Sequence, residues 1–398
     1  MKNCVYYELR KTVFTRKNII VAAVLALLMI GFLIWNERSF ISEKKARERF
    51  FDDLGNVTGD ELTDYLSSEE QKLYSKIFPD DGESGFDSSF AGKTGRYGIS
   101  NVGEWALFKE ALKIAEDIQT RNENISIIIQ NPENFAVDSY YEEDNIFFSD
   151  TKPQTEFVRN SCFGWIAVLA CIIVLAGSFS VEKERGLNSM LPLFPKGGVR
   201  MSLRKYICGI VVSAVLVISY ALIYCIAQFI ILGLGFKELG MPLFMIEGYE
   251  MCASGMTVGG LFGYTVMFSI AAAAVMSSVT MLFSKLIGRT VFAGIGSCII
   301  YAAGIAADVL YMGVYGNEFT DNSGDWYLIS APAFYKIYNT EKGFNPLALL
   351  NNSYYFQQPR ITRFAGGYYD AYIVPLIIVI LSCFLCYIFL LKEEKNVK

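Results

Sequence analysis

From Met251 to Ser284 the chain carries no charged side chain. As one helix, at about 1.5 Å per residue, that run would reach roughly 50 Å, well beyond a hydrocarbon core about 30 Å thick. Other apolar runs occupy Ile19–Trp35, Cys162–Val181, Tyr206–Phe236, Thr290–Tyr311 and Ala371–Leu391. A helix needs about 20 apolar residues to cross a bilayer. With 53% hydrophobic residues and a mean hydropathy of +0.33, the sequence reads as a polytopic α-helical membrane protein with six transmembrane helices.

The charges are distributed unevenly. Residues 36–159 hold 26 acidic and 14 basic side chains, a net of −12, whereas the whole chain is only −5. The basic excess therefore sits in the short loops. Positive residues flanking spans mark the cytoplasmic face. Residues 1–18 and 392–398 then lie inside, and residues 36–159 form an extracellular domain between spans 19–35 and 160–181. A cell-membrane location with both termini cytoplasmic follows. Asn36-Glu37-Arg38 after the first span is no cleavage site, so that span reads as retained.

Residues 182–205 fall between the second and third spans, inside the stretch VEKERGLNSMLPLFPKGGVRMSLRKY. Lys183, Arg185, Lys196, Arg200, Arg204 and Lys205 outnumber Glu182 and Glu184. Leu187, Met190, Leu191, Leu193 and Phe194 make the segment amphipathic. Such a segment suits a soluble partner or the bilayer surface; the plainer reading is a solvated basic loop.

Its spacing resembles the cytoplasmic coupling segment of ABC-2-type exporter permeases. The residues that carry the resemblance are Glu184, Gly186, Leu187, Met190, Leu191, Pro195, Arg200 and Lys205. Pro192 and the pair Gly197-Gly198 depart from the pattern. The resemblance covers the membrane part of the chain, residues 206–391 included. It implies a permease subunit paired with a second, identical or different, and docked to a separate cytoplasmic ABC ATPase. ATP and Mg would then belong to the partner, with no cofactor, metal or catalytic residue on this chain. It implies Glu182, Glu184, Arg185, Gly186, Leu187, Leu191, Pro195 and Arg200 as the coupling contact. The start, Met1–Asn18, has apolar residues at helical spacing; it is either a basic lead or an amphipathic helix like the elbow helix of that family.

Within residues 36–159, Thr58 with Glu61 and Asn101 with Glu104 have capping-box spacing. The second opens a helix with Phe108, Ala111, Leu112, Ala115 and Ile118 on one face. Ile125–Gln130 and Asn145–Ser149 read as strands, Asp80–Gly98 as a loop, and the whole as a small α+β domain. Gly92-Lys93-Thr94 ends like a Walker A loop. However, Asp87 stands where its first glycine belongs, and an acid there would repel phosphate.

The remaining features exclude more than they assign. Histidine is absent, which removes His-based catalysis and His metal ligands. Nine cysteines avoid the acidic domain, and Cys383-x-x-Cys386 lies inside a span, so both read as apolar packing. Gly255-x-x-x-Gly259 and Gly259-x-x-x-Gly263 suit either packing within the chain or a dimer seam. Gln228 and Asp308 are polar groups within spans, and hence pathway candidates, although Asp308 is near enough to the outer end to reach water. Residues 313–367 form an aromatic outer loop with runs too short to span. No basic face suggests nucleic acid; lipid is the surrounding partner. The reading is an exporter of an amphipathic peptide, lipid or drug, and not itself an enzyme. Its rival is a polytopic receptor, sensor or anchor that transports nothing.

Overall fold

The computed structural model describes residues 15–54, 60–79, 87–130, 150–184, 186, 197–246, 249, 256–315, 345–351, 356, 361–364, 367–370 and 372–396. Its elements in chain order are α1 (Arg16–Asn36), α2 (Arg38–Leu54), α3 (Asp60–Ile77), α4 (Ser88–Ala91), α5 (Asn101–Gln130), α6 (Lys152–Arg159), α7 (Phe163–Leu175), α8 (Ser180–Glu184), α9 (Gly197–Leu232), α10 (Val258–Ile287), α11 (Thr290–Tyr315), β1 (Ile361–Phe364), β2 (Gly367–Asp370) and α12 (Ile373–Asn396). Six helical stretches among the described residues are long and apolar enough to cross a membrane. The expected elbow helix at 1–14 lies outside the described residues.

The chain divides into two compact units. The first holds residues 1–32, 161–227 and 262–398. At its centre, α7 buries Ala167, Cys171, Ile172 and Leu175. Neighbouring helices approach closely where a side chain is reduced to hydrogen. A Cβ on Gly164 would fall 2.4 Å from Ser269 Oγ, and one on Gly209 would fall 2.4 Å from Met281 Sδ. By contrast, Ile207, Val211, Val215, Ile218, Leu222 and Ile226 are exposed at intervals of three or four residues along α9. In water such a stripe would drive aggregation, whereas lipid covers it at no cost. Two rings at the start of α10, Tyr264 and Phe268, pack with Phe356 and Tyr372. Pro346–Leu350 is a buried 3-10 turn against α11, where Asn345 Nδ2 donates to Gly304 O at 3.0 Å. The hairpin β1–β2 is antiparallel with Ile361 opposite Asp370.

The second unit holds residues 33–160 and 228–261. Helices α2, α3 and α5 bury Phe50, Leu54, Leu66, Leu107, Phe108 and Ala111 in one core. Phe50 meets Tyr97 and Phe108 edge to face, with ring centroids 5.2 and 4.9 Å apart, a favoured aromatic geometry. The only buried cation of that core region among the described residues is Arg47, which is bidentate to Glu110 and also held by Asp150. Its guanidinium lies 5.6 Å from the Phe51 ring centre. These carboxylates hold the Arg47 proton even more tightly than usual, against the opposing effect of burial, which is the largest single influence.

The α+β expectation for this region is corrected. Ile125–Gln130, read as a strand, is the last part of helix α5. A nucleated helix gains one hydrogen bond per added residue, and β-propensity without a partner strand is too weak to compete. Asn145–Ser149 lies outside the described residues, and among the described residues of 36–159 only an isolated Thr94–Ser100 bridge is extended. The capping expectation also changes in detail. Gly103 N donates to Ser100 Oγ at 3.2 Å. The Glu104 carboxylate turns away to accept from Arg96 N at 2.6 Å.

The loop expected at Asp80–Gly98 contains α4. Asp87 Oδ1 caps it, accepting from Ser89 N and Phe90 N at 2.9 and 3.1 Å. Hydrogen bonds from Ser89 and Phe90 hold the exposed Asp87 carboxyl below its ordinary value. Thus the residue that spoils the Walker pattern has a local structural task. The glycine-rich start of the fourth span also resolves. Gly259 backs onto the Leu239 carbonyl, 3.2 Å from where a Cβ would be, which is packing within the chain, whereas a Cβ on Gly263 would meet no atom of the described residues within 4 Å. Gly255 lies outside the described residues.

Candidate coupling site at the ends of the second, third and fifth spans

The 182–205 segment begins where the second span turns into α8. Two N–H groups at that turn, Phe179 N and Ser180 N, donate to Ser284 Oγ of α10 at 3.0 and 2.9 Å. Helix starts leave such donors without intrahelical partners, and here a hydroxyl from another span supplies the acceptor. Ser180 Oγ donates back to Ala176 O at 3.0 Å and lies 2.8 Å from Thr290 Oγ1. Hydroxyls on three spans therefore fix the orientation of α8.

That orientation sends the two glutamates to different helices. Glu182 is ion-paired with Lys205 of α9, and both are about 5% exposed, at 5% and 6%. The Lys205 ammonium also lies 5.2 Å from the Phe179 ring centre, which is the cation–π range. Lys285 stands near the same ring at 5.9 Å and donates to Leu390 O of α12 at 2.6 Å. Glu184 Oε1 accepts from Thr290 N at 2.7 Å. It places negative charge on the start of α11, where the helix dipole favours it.

After Glu184 the backbone reverses at Gly186, whose φ of +70° favours glycine. Among the described residues, no atom lies within 4 Å of where a Cβ would be. Gly288, with φ +68°, is different, because its missing Cβ would strike Lys183 Cδ at 2.4 Å. So the two glycines serve different ends, a tight turn and a close approach.

The expected contact residues thus separate. Glu182 is buried against Lys205, whereas Glu184 is exposed and accepts from Thr290 N. Gly186 sits exposed at the turn. Arg200 lies on the α9 backbone, five positions before Lys205, because α9 begins at Gly197 and not at the expected span start of Tyr206. Arg185, Leu187, Leu191 and Pro195 lie outside the described residues. Of the pathway candidates, Gln228 is fully buried and makes a side-chain hydrogen bond to Glu37, and Asp308 lies on the α11 backbone. Lys205 stood out as part of the motif but not as the partner of Glu182, and Ser284 and Thr290 were not legible as site residues. A hydroxyl in an apolar run usually bonds its own helix, as Thr280 Oγ1 does to Met276 O at 2.7 Å, so nothing in sequence separates the ones that bridge.

Chemically the site is an ion pair and a set of hydrogen bonds between helix ends. Among the described residues no group of three His, Cys, Asp or Glu side chains could hold a metal. Cys383 and Cys386 are unbridged in α12. No family model matches the chain, and neither the curated proteins nor the solved structures contain a match.

Proposed function

We propose that this chain is the membrane-spanning permease subunit of an ABC exporter, with its termini and residues 182–205 in the cytoplasm. It pairs with a second permease and docks a separate ATPase that binds ATP and Mg. The cargo is an amphipathic peptide, lipid or drug. One observation supports this most: the start of the 182–205 segment is tied by Glu182 to α9 and by Glu184 to α11. A partner that displaced the turn at Gly186 would move two spans at once, whereas a solvated loop needs no such ties. The docking surface is then Arg185–Arg200, with the buried Glu182 and the exposed Glu184 as struts that tie it to α9 and α11.

The test is purification of the tagged chain from its native membrane in mild detergent. An ATPase with Walker motifs in stoichiometric amount is expected. A preparation that retains a second copy or other membrane proteins and never an ATPase would favour a receptor or anchor.

A further inference from the structure

A second buried polar cluster lies in the unit of residues 33–160 and 228–261, where α1 turns into α2. Glu37 occupies that corner and is 1% exposed. Asn160, after the end of α6, donates from Nδ2 to Glu37 Oε1 at 2.5 Å and to Glu156 Oε2 at 3.0 Å. Glu156 is itself 5% exposed. One amide therefore joins two buried carboxyl groups from different elements. The amide's own oxygen accepts from Asn36 Nδ2 at 3.5 Å, which sets its orientation. Gln228 of α9 adds a side-chain hydrogen bond to Glu37.

The cation of the cluster is committed to one side. Arg159 pairs with Glu156, and among the described residues Glu37 has no ion pair. The groups that face Glu37 are then Glu156 and Arg159 on α6, Asn160 beyond it, and Gln228 on α9. A carboxylate so buried loses hydration that amide donors replace only in part.

We infer that Glu37 and Glu156 form a proton switch. With a proton on Glu37, Asn160 bridges two carboxyl groups that carry a single negative charge, which Arg159 balances. Loss of that proton as pH rises leaves two like charges on one amide and loosens the α1–α2 corner from α6. Burial, and then the Glu156 charge, act to raise the Glu37 carboxyl above its ordinary value, against the hydrogen bonds from Asn160 and Gln228. The folded state then holds the proton more tightly than the unfolded chain. Its stabilisation is complete below the ordinary carboxyl value and is lost as pH rises through the folded one. This inference does not depend on the transport reading.

The test uses the full-length protein in detergent micelles, with thermal unfolding and infrared carboxyl absorption followed from about pH 4 to about pH 8. The wild type is expected to lose thermal stability as pH rises above the ordinary carboxyl range, in step with the loss of a protonated carboxyl band. Glu37→Gln should abolish both changes. Glu156→Gln, which removes the facing charge, should move them to lower pH by about one unit. Parallel profiles in the wild type and Glu37→Gln would overturn the inference. Should Glu37→Gln fail to fold, the other two samples still decide. The absence of a carboxyl band above the ordinary range in the wild type, or an unmoved profile in Glu156→Gln, would equally overturn it.

Discussion

Glu182 and Lys205 form an ion pair, both buried, that joins the first turn after the second span to the third span. Breaking it from one side leaves an uncompensated charge, which costs about 3–5 kcal/mol. Lys205→Met or Glu182→Gln should therefore lower the unfolding midpoint in detergent sharply. The double variant Glu182→Leu with Lys205→Met should recover most of the loss, because a well-packed apolar pair often replaces a buried ion pair without penalty. Equal losses that simply add would show that the pair is not a unit. If the pair transmits motion, the double variant should fold and yet export poorly.

Glu184 acts through the start of α11 rather than through a buried charge. Its loss in Glu184→Ala should cost about 0.5–2 kcal/mol, the usual range for a lost helix cap. Glu184→Gln keeps an acceptor and should lose less. Unfolding midpoints of the two variants, compared with the wild type, check the order.

The glycines at 186 and 288 share a positive φ but differ in surroundings. Asparagine tolerates that backbone region better than other residues. Gly186→Asn should thus be nearly silent in unfolding, whereas Gly288→Asn must displace Lys183 and should be clearly destabilising. Equal behaviour would mean that the close approach at Gly288 is easily relieved.

Arg47 holds Glu110 and Asp150 in the other unit at 2.8 and 2.6 Å. Arg47→Met leaves two carboxylates facing a site without its cation, and the loss should again be about 3–5 kcal/mol. Limited proteolysis should show faster cleavage within residues 36–160 of the variant. Tyr97 in the same core has its hydroxyl pushed up to about 12 by burial, ahead of smaller charge effects. It should stay protonated in alkali that ionises exposed tyrosines, which ultraviolet titration reads directly.

The six spans were legible because a charge-free run of bilayer length has few other uses. Their ends were less so. The third span was expected from Tyr206, but Gly197–Lys205 continues the same helix, since basic residues are good helix formers once a span nucleates them. Ile125–Gln130 misled because its β-branched run suits a strand, while the helix begun at Asn101 simply continues. Gly367–Asp370 paired with Ile361–Phe364 was not foreseen, as its two strands are only four residues each. At the candidate site, the sequence placed Glu182 and Glu184 beside a basic excess, which suggests exposure. The burial of Glu182 and the bond of the exposed Glu184 to α11 depend on Ser284 and Thr290, more than a hundred residues away, and no local pattern carries that information.

The account rests on a nucleotide-hydrolysing partner that seats on the segment between the second and third spans. A photocrosslinking residue at Arg200 tests it in the intact membrane, with one at the exposed Trp35 as control. The account predicts an adduct with an ABC ATPase from position 200 and none from position 35. Labelling of position 200 by a membrane-impermeant reagent on intact cells, with no such adduct, would contradict it.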